Sequence, residues 1–372
     1  MRRIGLRPRR ARTLAGPIAF EREVFECPAC RRSLAPCDAL VGLAAGEKMT
    51  RSLVRRVAWA SARTSYTDAS ADLAELVGLA VSPAECARVA EQEGRRLDAL
   101  QRQREAESLA PVVEIGQRVP EPDMACERLV IEADAATVLT RPGEEHKSVL
   151  CARAFGLEHR ARDGSGRPVI TESLHTASAV DMDDFGPRAR ALALRAGLRR
   201  AQAVAFIADG APSLWRWAEH SLPRGTVLIQ DLWHVLEHLA VLAQELFGKG
   251  WREPFERWRQ MMRTSRVGEV LDELRAEHGR RRGRVRERLR AEIRYLENGR
   301  ARMDYARYER EGWPVGSGAI EADCKHLIKE RFALTGAHWR RGLIPWVLAL
   351  RLSIFNSDWT RDWREDNALI AA

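Results

Sequence analysis

The 372-residue chain contains no run of about 20 consecutive apolar residues, which is the length that a membrane-spanning helix requires. Its start, MRRIGLRPRRARTLAGPIAF, has the Arg-rich head of a signal peptide, but the apolar run after it is short and is broken by Gly and Pro. The seven cysteines are odd in number and lack the regular spacing of a disulfide framework. We therefore predict a protein that is neither exported nor inserted in a membrane and that resides in the reducing cytoplasm.

Positive charge is in excess and is clustered. Lysine and arginine number 61 against 52 for Asp and Glu, a net charge of +9. The clusters are Met1–Arg12 and His278–Arg300. A basic excess favours a polyanionic partner, and two clusters suggest two DNA contacts, with solvated surface as the alternative for either one. For the first cluster we expect phosphate contacts from Arg7, Arg9 and Arg10.

Residues 1–45 form the predicted first region, a basic arm followed by a cysteine knuckle. The segment 20–38 alternates apolar and polar residues as far as Cys27 and then turns at a C-x-x-C motif that ends at Cys30. Two-residue spacing lets both thiolates face one zinc ion, and Cys37 is a candidate third ligand. No second C-x-x-C or His pair lies nearby, so a knuckle without metal is the alternative.

Residues 46–110 form the predicted second region, which is helical. Ser82 followed by Pro83 and, three residues after the serine, Glu85 is the pattern of a capping box at a helix start. A helix that begins there, after a turn at Gly78, matches the second helix of a helix-turn-helix. Paired helices that serve only the core are the alternative. A polar and Pro-rich segment then predicts a linker over 111–126.

The remainder of the chain predicts an α/β domain. Segments rich in Val, Ile and Leu indicate strands within 128–141, 148–162, 167–177, 203–211 and 225–231. Helical patterns lie between these strands and then fill 232–308 and 320–355. A meander of strands followed by alternating helix and strand gives a mixed sheet covered by helices.

Three carboxylates occupy positions that suit metal ligands of an α/β enzyme. Asp134 follows the first strand pattern, Asp209 ends the strand AVAFIAD before a glycine, and Glu321 begins a helix after PVGSG. Hard divalent cations prefer carboxylate oxygens, and two such ions suit phosphodiester chemistry. On the residues alone, an Asp at a strand end before Gly is more often a turn or cap residue, so both interpretations stay open.

Two long blocks resemble the DDE transposases of bacterial insertion sequences. They are FIADGAPSLWRWAEHSLPRGTVLIQDLWHVLEHL (206–239) and GWPVGSGAIEADCKHLIKERFALTGAHWRRG (312–342). Within that class the chain looks like the ISKra type, which is related to the Mutator-like group. The resemblance covers roughly residues 20–360. It implies an RNase H-like catalytic domain over 127–360, with a helical insertion at about 236–308 and a tail at 361–372.

The resemblance also implies the residues of the site. The catalytic and metal-binding triad falls on Asp134, Asp209 and Glu321, which would hold two Mg²⁺ or Mn²⁺ ions. Relatives tend to have D-G after the first Asp, whereas this chain has EADAAT, so Glu132 is a competitor for the first ligand. Further residues matched to the family pattern are Asp231 and His234, expected to support the ligands or position DNA, and Lys325, Arg331 and Trp339, expected to bind DNA.

The activity implied is cleavage and strand transfer of double-stranded DNA, with the element's terminal inverted repeats and the target DNA as partners. Transposases of this kind act as dimers or higher assemblies on paired ends, and we expect the same here. One alternative is a truncated or domesticated DNA-binding relic without catalysis. A second is a zinc peptidase, because HVLEH at 234–238 matches the H-x-x-E-H motif in which two histidines bind zinc. Asp231 and His234 also have purely structural alternatives: Asp231 as a helix cap and His234 as a buried, hydrogen-bonded histidine.

Overall fold

The computed structural model describes residues 1–43, 46–110 and 121–364. Two compact units emerge from it. The first, here called the flanking unit, consists of Met1–Arg104, Thr137–Ser148 and Lys325–Ala372. The second, the sheet unit, consists of Glu105–Ala136 and Val149–Cys324. Most of the predicted linker (111–120) and the end of the predicted tail (365–372) lie outside the described residues. The segment from Lys325 onward, predicted within the catalytic domain, belongs to the flanking unit.

The basic arm at the start of the chain is a β-strand, which the sequence did not predict. Strand β1 (Arg2–Thr13) pairs antiparallel with β2 (Gly16–Glu26), which pairs in turn with β3 (Ser33–Leu34). The apolar and polar alternation predicted from residue 20 onward therefore belongs to β2, the second strand of a hairpin. A short helix, α1 (Pro36–Leu40), follows.

Three helices of the flanking unit lie where the sequence predicted them. They are α2 (Arg51–Arg63), α3 (Tyr66–Val77) and α4 (Pro83–Leu109). The capping box is confirmed, because the Glu85 N–H donates to Ser82 Oγ at 3.3 Å and the Ser82 N–H donates to Glu85 Oε2 at 3.2 Å. The turn at Gly78 is also confirmed, since this residue closes α3 with a left-handed φ of 69°.

Helix α4 packs closely against α14 (Ile344–Phe355), so much of its length serves the core of the flanking unit. A Cβ on Gly94 of α4 would lie only 2.2 Å from the backbone oxygen of Trp346. Glycine therefore lets the two helix backbones approach each other. Whether the exposed face of α4 reads a DNA groove stays a prediction.

The sheet unit is built on a five-stranded mixed sheet in the order β10-β9-β4-β5-β8. Its strands are β4 (Arg128–Val138), β5 (Lys147–Gly156), β8 (Leu174–Ser178), β9 (Ala203–Ala208) and β10 (Val227–Gln230). Strands β10, β9 and β4 run parallel to one another, while β5 and β8 pair antiparallel. The prediction of an α/β class with a mixed sheet is thus confirmed.

Helices cover both faces of this sheet. Helices α5 (Met182–Arg195) and α6 (Pro212–Ser221) pack on one face, around Phe185 and Phe206. The other face packs against α7 (Leu232–Phe247) and the helices that follow it, around Trp258. Those helices are α8 (Arg252–Arg263), α9 (Val267–Arg280), α10 (Gly283–Gly299) and α11 (Tyr305–Arg310). No helix among the described residues is long and apolar enough to cross a membrane.

Two predicted elements are interrupted. The predicted strand at 167–177 divides into β7 (Pro168–Ile170), which forms a small hairpin with β6 (Arg160–Arg162), and the separate β8. The predicted helix at 320–355 divides into α12 (Gly318–Asp323), a π-helical turn (Cys324–Lys329), α13 (Glu330–Phe332) and α14. Between α13 and α14, Gly336 has a backbone conformation in the left-handed region, and an α-helix cannot continue through it.

Candidate active site

Three aspartates lie at one level of the sheet. Asp134 is inside β4, one residue past its pairing with β9, while Asp209 and Asp231 follow the ends of β9 and β10. The pairing of β4 with β9 places Ala133 opposite Ala208, so Asp134 and Asp209 are the next residue on each side. The pairing of β10 with β9 places Gln230 opposite Ala208 as well, which makes Asp231 the next residue of the third strand. Ligands of open α/β sheets bind at the carboxyl ends of strands.

The glycine after Asp209 is required by its surroundings. Gly210 has a φ of +117°, and a Cβ at this position would lie 2.9 Å from the Tyr295 ring and 3.2 Å from Gln230 Nε2. The chain therefore leaves strand β9 through a backbone conformation that residues other than glycine rarely adopt. The Asp209 carboxylate accepts a hydrogen bond from the Ala211 N–H at 3.1 Å, and this bond fixes the turn.

Asp231 joins the two sequence blocks that carry the resemblance. Its Oδ1 accepts hydrogen bonds from the N–H groups of Trp233 (2.6 Å) and His234 (3.1 Å), so it caps helix α7. Its Oδ2 accepts from the Ser317 N–H at 2.9 Å and from the Ser317 hydroxyl. Because Asp231 is 2% exposed and makes all four bonds, the geometry favours a structural role in joining helix α7 to the start of α12.

Gly316 explains why the G-S-G motif begins with glycine. A Cβ at Gly316 would lie 2.4 Å from the Trp233 ring, too close for any side chain. The D-x-W-H motif and the G-S-G motif therefore contact each other through two pairs, Asp231 with Ser317 and Trp233 with Gly316. The helix that carries Glu321 starts from this junction.

Buried polar side chains from the sheet hold helix α12 in place. Glu132 Oε2 accepts a hydrogen bond from the Ile320 N–H at 2.8 Å. Arg153 donates to the Ala319 carbonyl at 3.2 Å and pairs with Asp323 at 3.4 Å. His175 Nδ1 lies 2.6 Å from the second carboxylate oxygen of Asp323. These contacts fix the backbone on both sides of Glu321.

Glu321 lies on the side of α12 that faces Asp134. The Cys324 thiol, one helical turn after Glu321, donates to Asp134 Oδ2 at 3.4 Å. The Cys324 and Cys151 sulfur atoms lie 3.5 Å apart without a disulfide. The structure therefore brings Asp134, Asp209 and Glu321, which are far apart in sequence, to one end of the sheet.

The pKa shifts show that these carboxylates repel one another. Burial raises the pKa of Asp134, and the charge of Asp209 raises it further, while His234 acts in the opposite direction. Desolvation of the carboxyl group also raises the pKa of Glu321, although the residue is exposed overall, and the charges of Asp231, Glu237 and Asp134 add to this. A bound cation would remove the repulsion, because opposite charge favours the ionised form.

Glu132 differs from Asp134 in its surroundings. It is 1% exposed, and burial raises its pKa to about 8 despite the Ile320 hydrogen bond and the charge of Arg153. Its carboxylate is also occupied by the hydrogen bond from the Ile320 N–H. Burial and this bond favour Asp134 over Glu132 as the first ligand.

The carboxylates of the site are chemically suited to bind a divalent cation, although the described residues do not form a complete set of ligands. Among the described residues no group of three or more His, Cys, Asp and Glu is arranged to hold a metal ion. Asp134 and Asp209 nevertheless supply two hard oxygen ligands from neighbouring strands. Mg²⁺ is usually held by one or two carboxylates, with water and substrate phosphate completing its shell. This pair suits that mode of binding.

The H-x-x-E-H motif does not form a metal site of this kind. The rings of His234 and His238 lie 4.9 Å apart on helix α7. His238 Nδ1 is 3.0 Å from a Glu292 carboxylate oxygen, and its ring stacks on Tyr295 at 4.6 Å. The side chain of Glu237 keeps 79% of its exposure. His234 keeps 38% of its side-chain exposure, so it does not match the buried histidine considered as its structural alternative.

The residues expected to contact DNA divide into exposed and buried sets. Arg7, Arg10 and Lys325 are exposed. Arg9 is partly buried and donates to the Glu47 carbonyl. Arg331 and Trp339 are 2% and 7% exposed, with the guanidinium 4.6 Å from the centre of the Trp339 ring. Burial assigns these two to the core of the flanking unit, so direct DNA contact is not favoured for them.

The cysteine knuckle is formed as a turn. The Arg31 N–H donates to the Cys27 carbonyl at 2.8 Å, and the Cys27 N–H donates to the Arg32 carbonyl at 2.9 Å. Hydrogen bonds from the N–H groups of Cys30 and Ala29 lower the pKa of the Cys27 thiol. Such a thiol is suited to metal binding, but Cys37 does not complete a group of three ligands within the described part of the chain.

Sequence reasoning missed the residues that position α12. Arg153, His175 and Asp323 lie in segments read only as strand or helix. A pattern signal was present, since polar residues within apolar strand patterns are uncommon unless they are paired. Comparison with protein-family models and with curated proteins found no match for this chain.

Proposed function

We propose that the protein is a metal-dependent DNA transposase, in which Asp134, Asp209 and Glu321 form the catalytic site. One observation carries the proposal. Asp134 and Asp209 are the residues directly after the paired segment of the neighbouring parallel strands β4 and β9, and both Asp209 and Glu321 are close enough to interact electrostatically with Asp134. A mixed sheet that combines an antiparallel pair with three parallel strands is compatible with the RNase H-like core expected from the sequence.

Each group has a distinct task in this proposal. When bound, two divalent ions supply an activated water or 3′-hydroxyl and stabilise the leaving oxygen. Asp134 and Asp209 hold their carboxylates at the open end of the sheet. Glu321 is carried by helix α12, and hydrogen bonds from this helix and the residue before it to Glu132 and Asp231 hold it against the strands. His234 lies beside the carboxylates, where it is placed to contact a phosphate.

Exposed arginines supply the contacts to the DNA backbone. Arg282, Arg284 and Arg290 lie in or beside helix α10, and no carboxylate in the described part of the chain pairs with them. Arg7 and Arg10 of strand β1 offer a second exposed set. Contacts of this kind position DNA without reading its sequence. As in the sequence analysis, the terminal repeats and target DNA are the expected partners, and a dimer or larger assembly is the expected form.

The proposal is tested by incubating the protein with DNA that flanks its own gene, in Mg²⁺ or Mn²⁺. We expect strand nicking that requires the metal and that Asp209→Ala and Glu321→Ala each abolish. Asp272→Ala, an exposed carboxylate variant on α9, serves as the control and should cleave normally.

The other outcomes identify the alternatives. Specific binding without cleavage by the wild type would indicate a DNA-binding relic. Zinc-dependent peptide hydrolysis would replace the proposal by the peptidase interpretation.

DNA affinity should depend steeply on salt. A protein that contacts six to ten phosphates loses roughly a thousandfold or more in affinity between about 50 and 200 mM salt, because counterions are released on binding. The double variant Arg284→Ala/Arg290→Ala should lower the slope of log affinity against log salt by about 2. Arg259→Ala is the matched control, since this arginine already pairs with Glu256 at 3.0 Å. An affinity that barely changes with salt would contradict the assignment of these surfaces.

A further inference from the structure

A cavity of about 610 Å³ opens in the sheet unit next to Asp209. Gly210 forms part of its wall, Trp215 comes from helix α6, and Tyr295 and Asn298 come from helix α10. The Tyr295 hydroxyl donates to the Asp209 carbonyl at 3.0 Å. The cavity therefore adjoins the backbone of Asp209, a residue of the candidate active site, yet none of the roles described above uses it.

The Gln230 side-chain amide lies in this wall beside Tyr295. Gln230 is 1% exposed, and its side chain interacts with the Tyr295 hydroxyl, but its Nε2 has no acceptor at good hydrogen-bonding geometry within the described residues. Glycines make room for this amide, since a Cβ on Gly299 would lie 2.1 Å from Gln230 Oε1. A ligand acceptor would complete the bonding of this nitrogen, because a buried donor without a well-formed hydrogen bond is unfavourable.

The opening of the cavity is cationic. Arg216 and Arg294 are exposed, line the cavity and pair with no carboxylate among the described residues. Arg302 is different, because it pairs with Glu219 at 2.9 Å and lies over the Trp215 ring at 4.6 Å. Two free guanidinium groups at the opening favour an anionic ligand, and the planar guanidinium matches the geometry of a phosphate group.

The inner wall offers an aromatic surface. His238 stacks on one face of the Tyr295 ring, and the same ring lines the cavity. Aromatic side chains that stack on bases strengthen nucleic-acid binding, because every base has an aromatic face. The cavity thus combines a ring, an amide donor and cations, which suit a base on the inside and a phosphate at the opening.

We infer that this cavity binds one unstacked nucleotide of the DNA strand, with its base against Tyr295 and Gln230 and its phosphate at Arg216 and Arg294. The inference rests on the proposed function, because it places the nucleotide beside the strand that the carboxylates would cut. Extruding a base from the duplex is unfavourable, so the cavity would select DNA in which a base is unpaired.

The test uses binding in EDTA, so that no cleavage occurs. Fluorescence anisotropy compares a short duplex that carries one unpaired thymine with the same duplex carrying an abasic residue at that position. We expect the full-length wild type to bind the thymine probe roughly five- to 150-fold more tightly, the range that stacking of one base supports. Ala291→Trp, at an exposed position of the wall, fills the cavity and should remove this preference, whereas Ala291→Ser should keep it.

Two further variants complete the design. Arg294→Ala should weaken both probes to a similar extent, because a phosphate contact does not distinguish them. If Ala291→Trp does not fold, Asn298→Trp at the exposed opening of the cavity fills the same space.

The outcomes separate this inference from the proposed function. Equal binding of the two probes by the wild type, or a preference that survives both filling variants, would overturn the nucleotide site and leave the transposase proposal intact. A wild type that binds neither probe would overturn both.

Discussion

Asp134→Asn should reduce metal-dependent DNA cleavage by at least about a thousandfold, equivalent to ~4 kcal/mol of barrier. Asparagine retains the shape of the side chain but removes the negative charge that a divalent cation requires. Glu132→Gln should cleave within about tenfold of the wild type, because glutamine can still accept the hydrogen bond from the Ile320 N–H. The measurement is the rate of nicking under single-turnover conditions at saturating metal.

This pair of variants decides which residue is the first ligand. Glu132 and Asp134 are two residues apart on one strand and therefore face the same side of the sheet. The sequence alone left the choice open. A Glu132→Gln variant that is inactive beside an active Asp134→Asn variant would reverse the assignment. Thermal unfolding of both variants separates this result from loss of fold.

Glu93→Ala should destabilise the flanking unit by about 3–5 kcal/mol, the range found when one partner of a buried ion pair is removed. Glu93 is 1% exposed and accepts hydrogen bonds from Arg51 at 2.6 Å and from Arg96 at 2.8 Å. Glu91→Ala is the control on the same helix, because the ion pair of Glu91 with Arg95 is at the surface and should contribute less than about 1 kcal/mol. Unfolding by denaturant, followed by circular dichroism, measures both.

The effect of Glu93 should also depend on pH in a defined direction. Burial alone would raise the pKa of Glu93, but the hydrogen bonds and charges of Arg51 and Arg96 outweigh it, and the pKa is lowered. A lowered pKa means that the ionised group stabilises the folded state above the ordinary value of 4.5. The difference between wild type and Glu93→Ala should therefore be largest near neutral pH and shrink as the pH falls below 4.5. A difference that grows in acid would contradict this account.

Local signals in the sequence predicted much of the fold. The capping box at Ser82, the turn at Gly78 and the apolar run of strand β9 depend on neighbouring residues, and each element forms where it was expected. Strand β1 was missed because its many arginines do not give a strand pattern, and the strand forms through its pairing with β2. The break after α13 was missed because the apolar helical pattern continues across Gly336.

The site could be predicted only in part, because its contacts are distant in sequence. The resemblance identified Asp134, Asp209 and Glu321, but neither composition nor periodicity relates Arg153 or His175 to helix α12. Those residues act through pairs with Asp323 that are 170 and 148 positions apart. Burial likewise separates the roles of Glu132 and Asp134, and burial is a property of the folded chain.

The bond between Asp231 and Ser317 has a consequence for how the helical insertion can change. It joins the two ends of an 86-residue excursion at a single point beside the sheet. A chain segment whose ends are already held together can be lengthened or shortened at little entropic cost, about 0.6 kcal/mol for each doubling of its length. The exposed turn between α9 and α10 can therefore be lengthened while the packed helices and the ends of the strands stay where they are. The excursion can vary in the length of its surface connections, whereas its buried helices are fixed by the sheet that they cover.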